Sequence, residues 1–84
     1  MAKSIKQTKV THRKLGREKV WGLAHISFNH IELDSRLAGR RHLLYLVHEM
    51  LHIIEPEWSE TKIKKVSTKV TDLLWAQHYR KVSI

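Results

Sequence analysis

The sequence predicts an α+β domain in which a small antiparallel three-stranded sheet packs on a layer of two helices. Three observations lead to this prediction. β-Branched or alternating segments occupy the first part of the chain, a mostly apolar segment follows over residues 43–54, and an amphipathic segment begins after Pro56. The predicted order of elements is therefore β-β-β-α-α.

Three short segments have the composition or the alternation of strands: residues 3–11, 19–26 and 31–34. The lysines of the first segment favour a position at the edge of the sheet. In the second, Gly22 and Ala24 share one face and leave room for a helix or a ligand to approach closely. In the third, Ile31 and Leu33 alternate with acidic residues, so we expect both to face the core.

The two helices are bounded by recognisable signals. The first is expected to begin between residues 38 and 41 and to end by Glu55, because Pro56 disfavours helical geometry in the residue before it. Ser59 is a favourable N-cap for the second helix. Apolar residues then recur at three- and four-residue steps, which predicts a helix that runs to about Arg80.

Length and composition restrict the class of protein. A chain of 84 residues forms one domain, here residues 1–84, and its small core buries only about 60–65% of the extended-chain surface. The absence of cysteine excludes disulfides and cysteine-ligated zinc. No apolar run suits a signal peptide or a membrane span, so a cytoplasmic protein without a membrane partner is expected.

The net charge of +8 is concentrated towards the start of the chain. Residues 1–19 are predicted to form a basic N-terminal arm or edge strand, whose cations are Lys3, Lys6, Lys9, Arg13, Lys14, Arg17 and Lys19. Such a segment favours weak, non-specific binding of nucleic acid. No aromatic residue alternates with these cations, so stacking on bases is not expected. The simpler interpretation is a charged, solvated surface.

The apolar helix is interrupted by His48, Glu49 and His52. Residues four apart lie on one helical face, so both imidazoles can bind one ion, whereas Glu49 points about 100° away from His48. This H-E-x-x-H pattern is typical of zinc sites that perform metal-assisted hydrolysis. The alternative is a chance spacing in a histidine-rich chain. It is disfavoured because polar groups buried among leucines are costly unless something pairs with them.

A third metal ligand is expected near the start of the second helix. A short turn makes the helices antiparallel neighbours, so the end of the first, with His52, lies beside the start of the second. His78 would lie roughly 27 Å further along than Glu60, and Asp72 is almost as poorly placed. The acidic candidates, in decreasing order of preference, are Glu60, Glu57 and Glu55. The alternative role for Glu60 is simple stabilisation of a helix N-terminus.

Residues 46–52, preceded by residues 31–37 and a strand with the sequence Gly-Leu-Ala at 22–24, resemble the core of the zincin metallopeptidases. The resemblance covers most of residues 20–80 and is greatest to the minimal, gluzincin-like members. It implies a minimal zincin core in which a glutamate of the following helix completes the zinc site. The metzincin pattern does not fit, because its glycine and histidine positions are Glu55 and Trp58 here.

The predicted function is therefore that of a zinc-dependent metallopeptidase acting on a peptide or protein substrate. His48, His52 and Glu60 would hold the zinc ion, and Glu49 would act as general base towards the metal-activated water. The substrate is expected to add as a strand to a sheet edge supplied by residues 20–26 or 31–34.

Two points stay open at the level of the sequence. A second group that stabilises the oxyanion is often required, and Tyr45, His25 and His30 are candidates by chain order alone. The alternative function is a non-catalytic module in which the metal only stabilises a small core, with nucleic-acid association through the basic arm.

Overall fold

The computed structural model describes residues 5–82 and consists of three strands followed by two helices. Strand β1 spans Lys9–Arg13, β2 spans Gly22–His25 and β3 spans His30–Asp34, while helix α1 spans Gly39–Ile54 and α2 spans Glu60–Ala76. The α+β class and the order β-β-β-α-α are thus confirmed. The first strand begins later than predicted, and residues 3 and 4 of that prediction lie outside the described residues.

The sheet is mixed, with the strand order β1-β3-β2. β3 pairs antiparallel with β2 and parallel with β1, so the prediction of a purely antiparallel sheet is wrong. That prediction assumed that strands adjacent in sequence pair with each other. Instead, residues 14–21 carry the chain past the position that β3 fills, and β3 separates β1 from β2. β1 lies at an edge, as expected, but residues 31–34 form the central strand and offer no free edge.

Asp34, at the end of β3, forms a hydrogen bond with the segment that connects β1 to β2. Asp34 is fully buried, and its carboxylate accepts a hydrogen bond from the Leu15 backbone N–H at 2.9 Å. It also accepts bonds from the backbone and the guanidinium of Arg36, the shortest at 2.8 Å. The Arg36 guanidinium, together with these backbone bonds, holds the pKa of Asp34 well below its usual range. Leu15, itself fully buried, therefore ties the connection to the core.

The core lies between the sheet and α1. Ile31 and Leu33 of β3 are fully buried, as their alternation predicted. Half-buried side chains of α1 pack against them, among which are Tyr45, Leu46 and Met50. α1 also packs against β2 and against α2, so this helix contacts every layer of the domain.

The helix boundaries follow the predicted signals, with one exception. α1 begins after Ala38 and ends at Ile54, ahead of Pro56. At the start of α2, the Ser59 hydroxyl accepts a hydrogen bond from the Lys62 backbone N–H at 3.2 Å. α2 ends at Ala76 rather than near Arg80, because His78 adopts a left-handed conformation with φ 67° that cannot continue the helix. Neither helix in residues 5–82 combines the length and apolar character needed to cross a bilayer.

Candidate metal centre

The structure brings His48, His52 and Glu60 together at one point between α1 and α2. The Nε2 atom of His48 lies 2.8 Å from Oε1 of Glu60, and the Nε2 atom of His52 lies 3.1 Å from Oε2. One ligand atom from each residue falls within 4.8 Å of the others. In the described part of the chain this is the one group of three such side chains that could hold a metal ion.

The turn between the helices determines which acidic residue reaches the imidazoles. The Trp58 backbone N–H donates to the Glu55 carbonyl at 3.1 Å, which closes the turn, and the Ser59 cap then starts α2. Glu60 is the first residue of that helix, and the fully buried Ile63 anchors the same turn. Glu55 and Glu57, the less preferred candidates, are exposed and do not belong to the metal-binding group.

The two imidazoles are more enclosed than the carboxylate between them. The side chains of His48 and His52 are 13% and 24% exposed, whereas that of Glu60 is 55% exposed. Burial lowers the pKa of His48, and this effect exceeds the opposing attraction of the Glu60 carboxylate. The neutral imidazole favoured by this environment is the form that binds a metal ion.

Glu49 lies against strand β2, where a glycine gives it space. A Cβ atom built on Gly22 would be 2.9 Å from Cγ and 3.0 Å from Oε2 of Glu49, closer than any side chain permits. The small residues of this strand were expected to let a helix or a ligand approach closely, and it is helix α1 that does so. Glu49 is only 6% exposed, and no donor in residues 5–82 forms a hydrogen bond with its carboxylate. Burial, with a contribution from the Glu60 carboxylate, raises the pKa of Glu49 to about 7.

The metal-binding group and Glu49 open into the same groove, a cavity of about 340 Å³. Five further residues line this groove. Three come from the start of β2 and the two residues before it, and one comes from each helix: Val20, Trp21, Gly22, Tyr45 and Lys64. β2 is an edge strand, so its unpaired backbone borders this groove.

Of the three candidates for an oxyanion donor, Tyr45 alone lines the groove. Its ring centroid lies 6.4 Å from that of His48. The other two are engaged elsewhere: the Nε2 atom of His25 is 2.8 Å from Glu32, and that of His30 is 2.8 Å from the Thr11 hydroxyl. The structure therefore separates His25 and His30 from the candidate centre.

Lys64 lines the groove, although the sequence analysis above did not single it out. It follows Glu60 by four residues, and residues at this spacing share a helical face. Had Glu60 been used to define which face of α2 turns towards the motif, the same spacing would have identified Lys64.

A larger cavity, of about 440 Å³, lies near the N-terminus of α1 and contains a second pair of histidines. The Nε2 atoms of His12 and His42 are 3.0 Å apart, and the two rings are stacked. No carboxylate lines this cavity among the residues described. Two imidazoles without a third ligand are a weaker basis for a metal site than the group in the smaller groove.

No protein-family model, curated protein or solved structure matches this chain. The resemblance to zincins thus depends on the motif and its flanking residues, and it remains an expectation. What the structure does establish is an α+β fold whose His48, His52 and Glu60 side chains form a group able to hold a metal ion.

Proposed function

We propose that this chain is a zinc-dependent metallopeptidase that hydrolyses peptide bonds. One observation carries the proposal: Glu49, which is only 6% exposed and has no hydrogen-bond partner among residues 5–82, lines the same groove as three converging metal-ligand side chains. A group that only held a metal ion would need His48, His52 and Glu60. Glu49 is not one of these ligands, yet its carboxylate lies in the same groove.

The ligand set favours zinc among the common metal ions. Zinc binds imidazole nitrogen and carboxylate oxygen in tetrahedral sites, and catalytic zinc sites use three protein ligands with one position open to solvent or substrate. Two histidines and one glutamate provide that set, and the groove provides access to the open position. Calcium and magnesium, by contrast, prefer oxygen ligands throughout.

The proposed reaction assigns distinct roles to the residues of the groove. When bound, zinc lowers the pKa of a water molecule to about 7 and polarises the carbonyl group. Glu49 takes the proton from the attacking water and passes it to the departing amine. Tyr45 is the candidate second donor towards the oxyanion, because it lines the same groove.

The substrate is proposed to be an extended peptide segment. β2 has an unpaired edge beside the groove, and backbone hydrogen bonds to such an edge align a peptide without regard to most of its side chains. The groove is open and small, which suits an unstructured segment better than the surface of a folded protein.

The test is a paired measurement of zinc content and proteolysis on the full chain. We expect the purified protein to bind about one zinc ion and to cleave an unstructured protein substrate. Glu49→Gln should retain zinc and lose at least about 100-fold in kcat, because general acid–base catalysis contributes roughly 10²–10⁴. Proteolysis that survives in Glu49→Gln would show that a contaminant or another group is responsible.

Variants at the ligands separate catalysis from metal binding. Glu60→Gln should weaken zinc binding, whereas Glu57→Gln is the matched control and should leave both zinc and activity unchanged. If the chain binds zinc through His48 and His52 but cleaves no peptide under any condition, the non-catalytic module that uses metal for stability is the correct function.

A further inference from the structure

From the proposed function we infer a substrate class: the groove selects peptides with an acidic side chain, Asp or Glu, beside the bond that is cleaved, and Lys64 is the residue that selects them. The inference depends on the peptidase function for its biological meaning. Its physical basis is the position of one lysine and the charge of the groove around it.

Lys64 lies where the metal groove meets a second depression. It lines both the groove of about 340 Å³ and a neighbouring cavity of about 220 Å³, and Tyr45 and His48 line both as well. The second cavity lies between α1 and α2, with Leu44, Ser67 and Thr68 completing its wall. Sites for whole small molecules occupy about 300–1,000 Å³, so a space of this size suits a single side chain of a bound peptide.

The chemistry of this side cavity favours an anion. Its one charged group outside the metal ligands is the Lys64 ammonium. No carboxylate lines the cavity among residues 5–82. A carboxylate of the substrate would thus meet a cation and a threonine hydroxyl, Thr68, in this cavity.

The charge of the side chains that line the groove also favours an acidic peptide. Apart from Glu49 and the metal-ligand side chains, Lys64 is the one charged residue among the described residues that line the groove. Lys64 therefore attracts an acidic peptide to the groove more strongly than a neutral one.

The test measures peptide binding to zinc-loaded Glu49→Gln, which keeps the groove but does not turn over substrate. The probes are two short unstructured peptides that differ only in a central Glu or Gln. We expect the Glu peptide to bind roughly two- to fivefold more tightly, the range for an exposed ion pair, and the difference to shrink as salt is added.

Substitutions at Lys64 then assign the preference to this residue. Lys64→Gln should abolish the difference, and Lys64→Glu should reverse it in favour of a peptide with a central Lys. Lys65→Gln removes the same charge from the adjacent, exposed position and should leave the preference unchanged. Equal binding of the two peptides, or an equal effect of Lys64→Gln and Lys65→Gln, would overturn the assignment.

Cleavage by the unmodified chain distinguishes this inference from the proposed function. If both peptides are cleaved at the same rate, the acidic preference is wrong and the peptidase function stands. If the Glu peptide binds in a Lys64-dependent manner but no peptide is cleaved, the binding preference stands and the peptidase function is wrong.

Discussion

Gly22 is the residue whose substitution tests most directly how the strand β2 positions Glu49. A methyl group at residue 22 would lie 2.9 Å from Cγ, 3.0 Å from Oε2 and 3.2 Å from Cδ of Glu49. Gly22→Ala therefore forces the carboxylate to move within a site where it is only 6% exposed. Overpacking of this kind costs roughly 1–3 kcal/mol of unfolding free energy.

The same substitution carries a gain that can be measured separately. Gly22 is a strand residue without positive φ, so alanine reduces the entropy of the unfolded chain and stabilises the fold by about 0.4–1 kcal/mol. In the presence of Glu49 we expect a net loss of about 1–2 kcal/mol. In the Glu49→Ala background the clash is absent, and Gly22→Ala should become neutral or stabilising.

The unfolding free energies of Gly22→Ala, Glu49→Ala, the double variant and the parent chain are measured by urea denaturation in the presence of a chelator and compared as a double-mutant cycle. The zinc content and kcat of Gly22→Ala are measured separately. A displacement of the order of 1 Å at a catalytic group costs roughly 100-fold in rate, so Gly22→Ala should retain zinc and lose about 10- to 100-fold in kcat. The matched control is Gly16→Ala, whose added Cβ would meet only the Arg36 guanidinium at an ordinary 3.6 Å. A coupling between residues 22 and 49 below about 0.5 kcal/mol would refute the packing described.

Three further predictions concern the elements that support the groove. Ser59→Ala removes the N-cap of α2 and should lower the free energy of unfolding, measured by urea denaturation, by about 1 kcal/mol. Zinc binding should also weaken, because Glu60 is the next residue. An unchanged urea midpoint would contradict the role of the cap. The Arg13 guanidinium and His25 lower the pKa of Glu32 from 4.5 to about 2. This carboxylate therefore stabilises the fold above pH 4.5, and its contribution is lost as the pH falls towards 2. Glu32→Gln should flatten that part of the stability curve, and an NMR titration midpoint of Glu32 near 4.5 would be inconsistent with the pairing. Finally, metal-free Glu49→Gln should be more stable than the parent chain at pH 8 by roughly 1–3 kcal/mol, because a buried charge without a partner is removed. A less stable variant would identify Glu49 as a structural residue.

The helical half of the fold was predictable because each of its signals is local. Pro56 and Ser59 mark the end of α1 and the start of α2, and both act within one turn of the chain. The approach of Glu60 to the imidazoles follows from the same facts, since a short turn leaves the first residue of α2 beside the last turns of α1. The C-terminal end of α2 was predicted several residues too late. The helix ends there because His78 adopts a left-handed backbone conformation, which no side-chain pattern in the sequence indicates.

The pairing of the sheet was not predictable in the same way. The parallel pairing of β1 with β3 joins residues 21 apart, and the hydrogen bond from the Leu15 backbone to the Asp34 carboxylate holds the connection that follows β1. Neither residue carries a distinctive local signal: Leu15 lies between two predicted strands, and Asp34 is an acidic residue at the end of the third. The burial of this aspartate is decided by Arg36 and by the path of the connection, which are tertiary features.

Two separate costs converge on the Glu49 carboxylate. Glu49 is only 6% exposed and has no hydrogen-bond partner among residues 5–82, and the strand beside it carries a glycine, which weakens a strand, where an added methyl group would meet this side chain. Native domains are stable by only about 5–15 kcal/mol, so costs of about 1 kcal/mol or more are substantial in a domain of this size. Glu49 is not needed as a ligand, because the three ligand side chains converge without it. A carboxylate that is kept close to a metal site, in a groove open to water, is what proton transfer to and from a reacting water requires. This reasoning favours a catalytic centre over a structural one, independently of the resemblance to zincins.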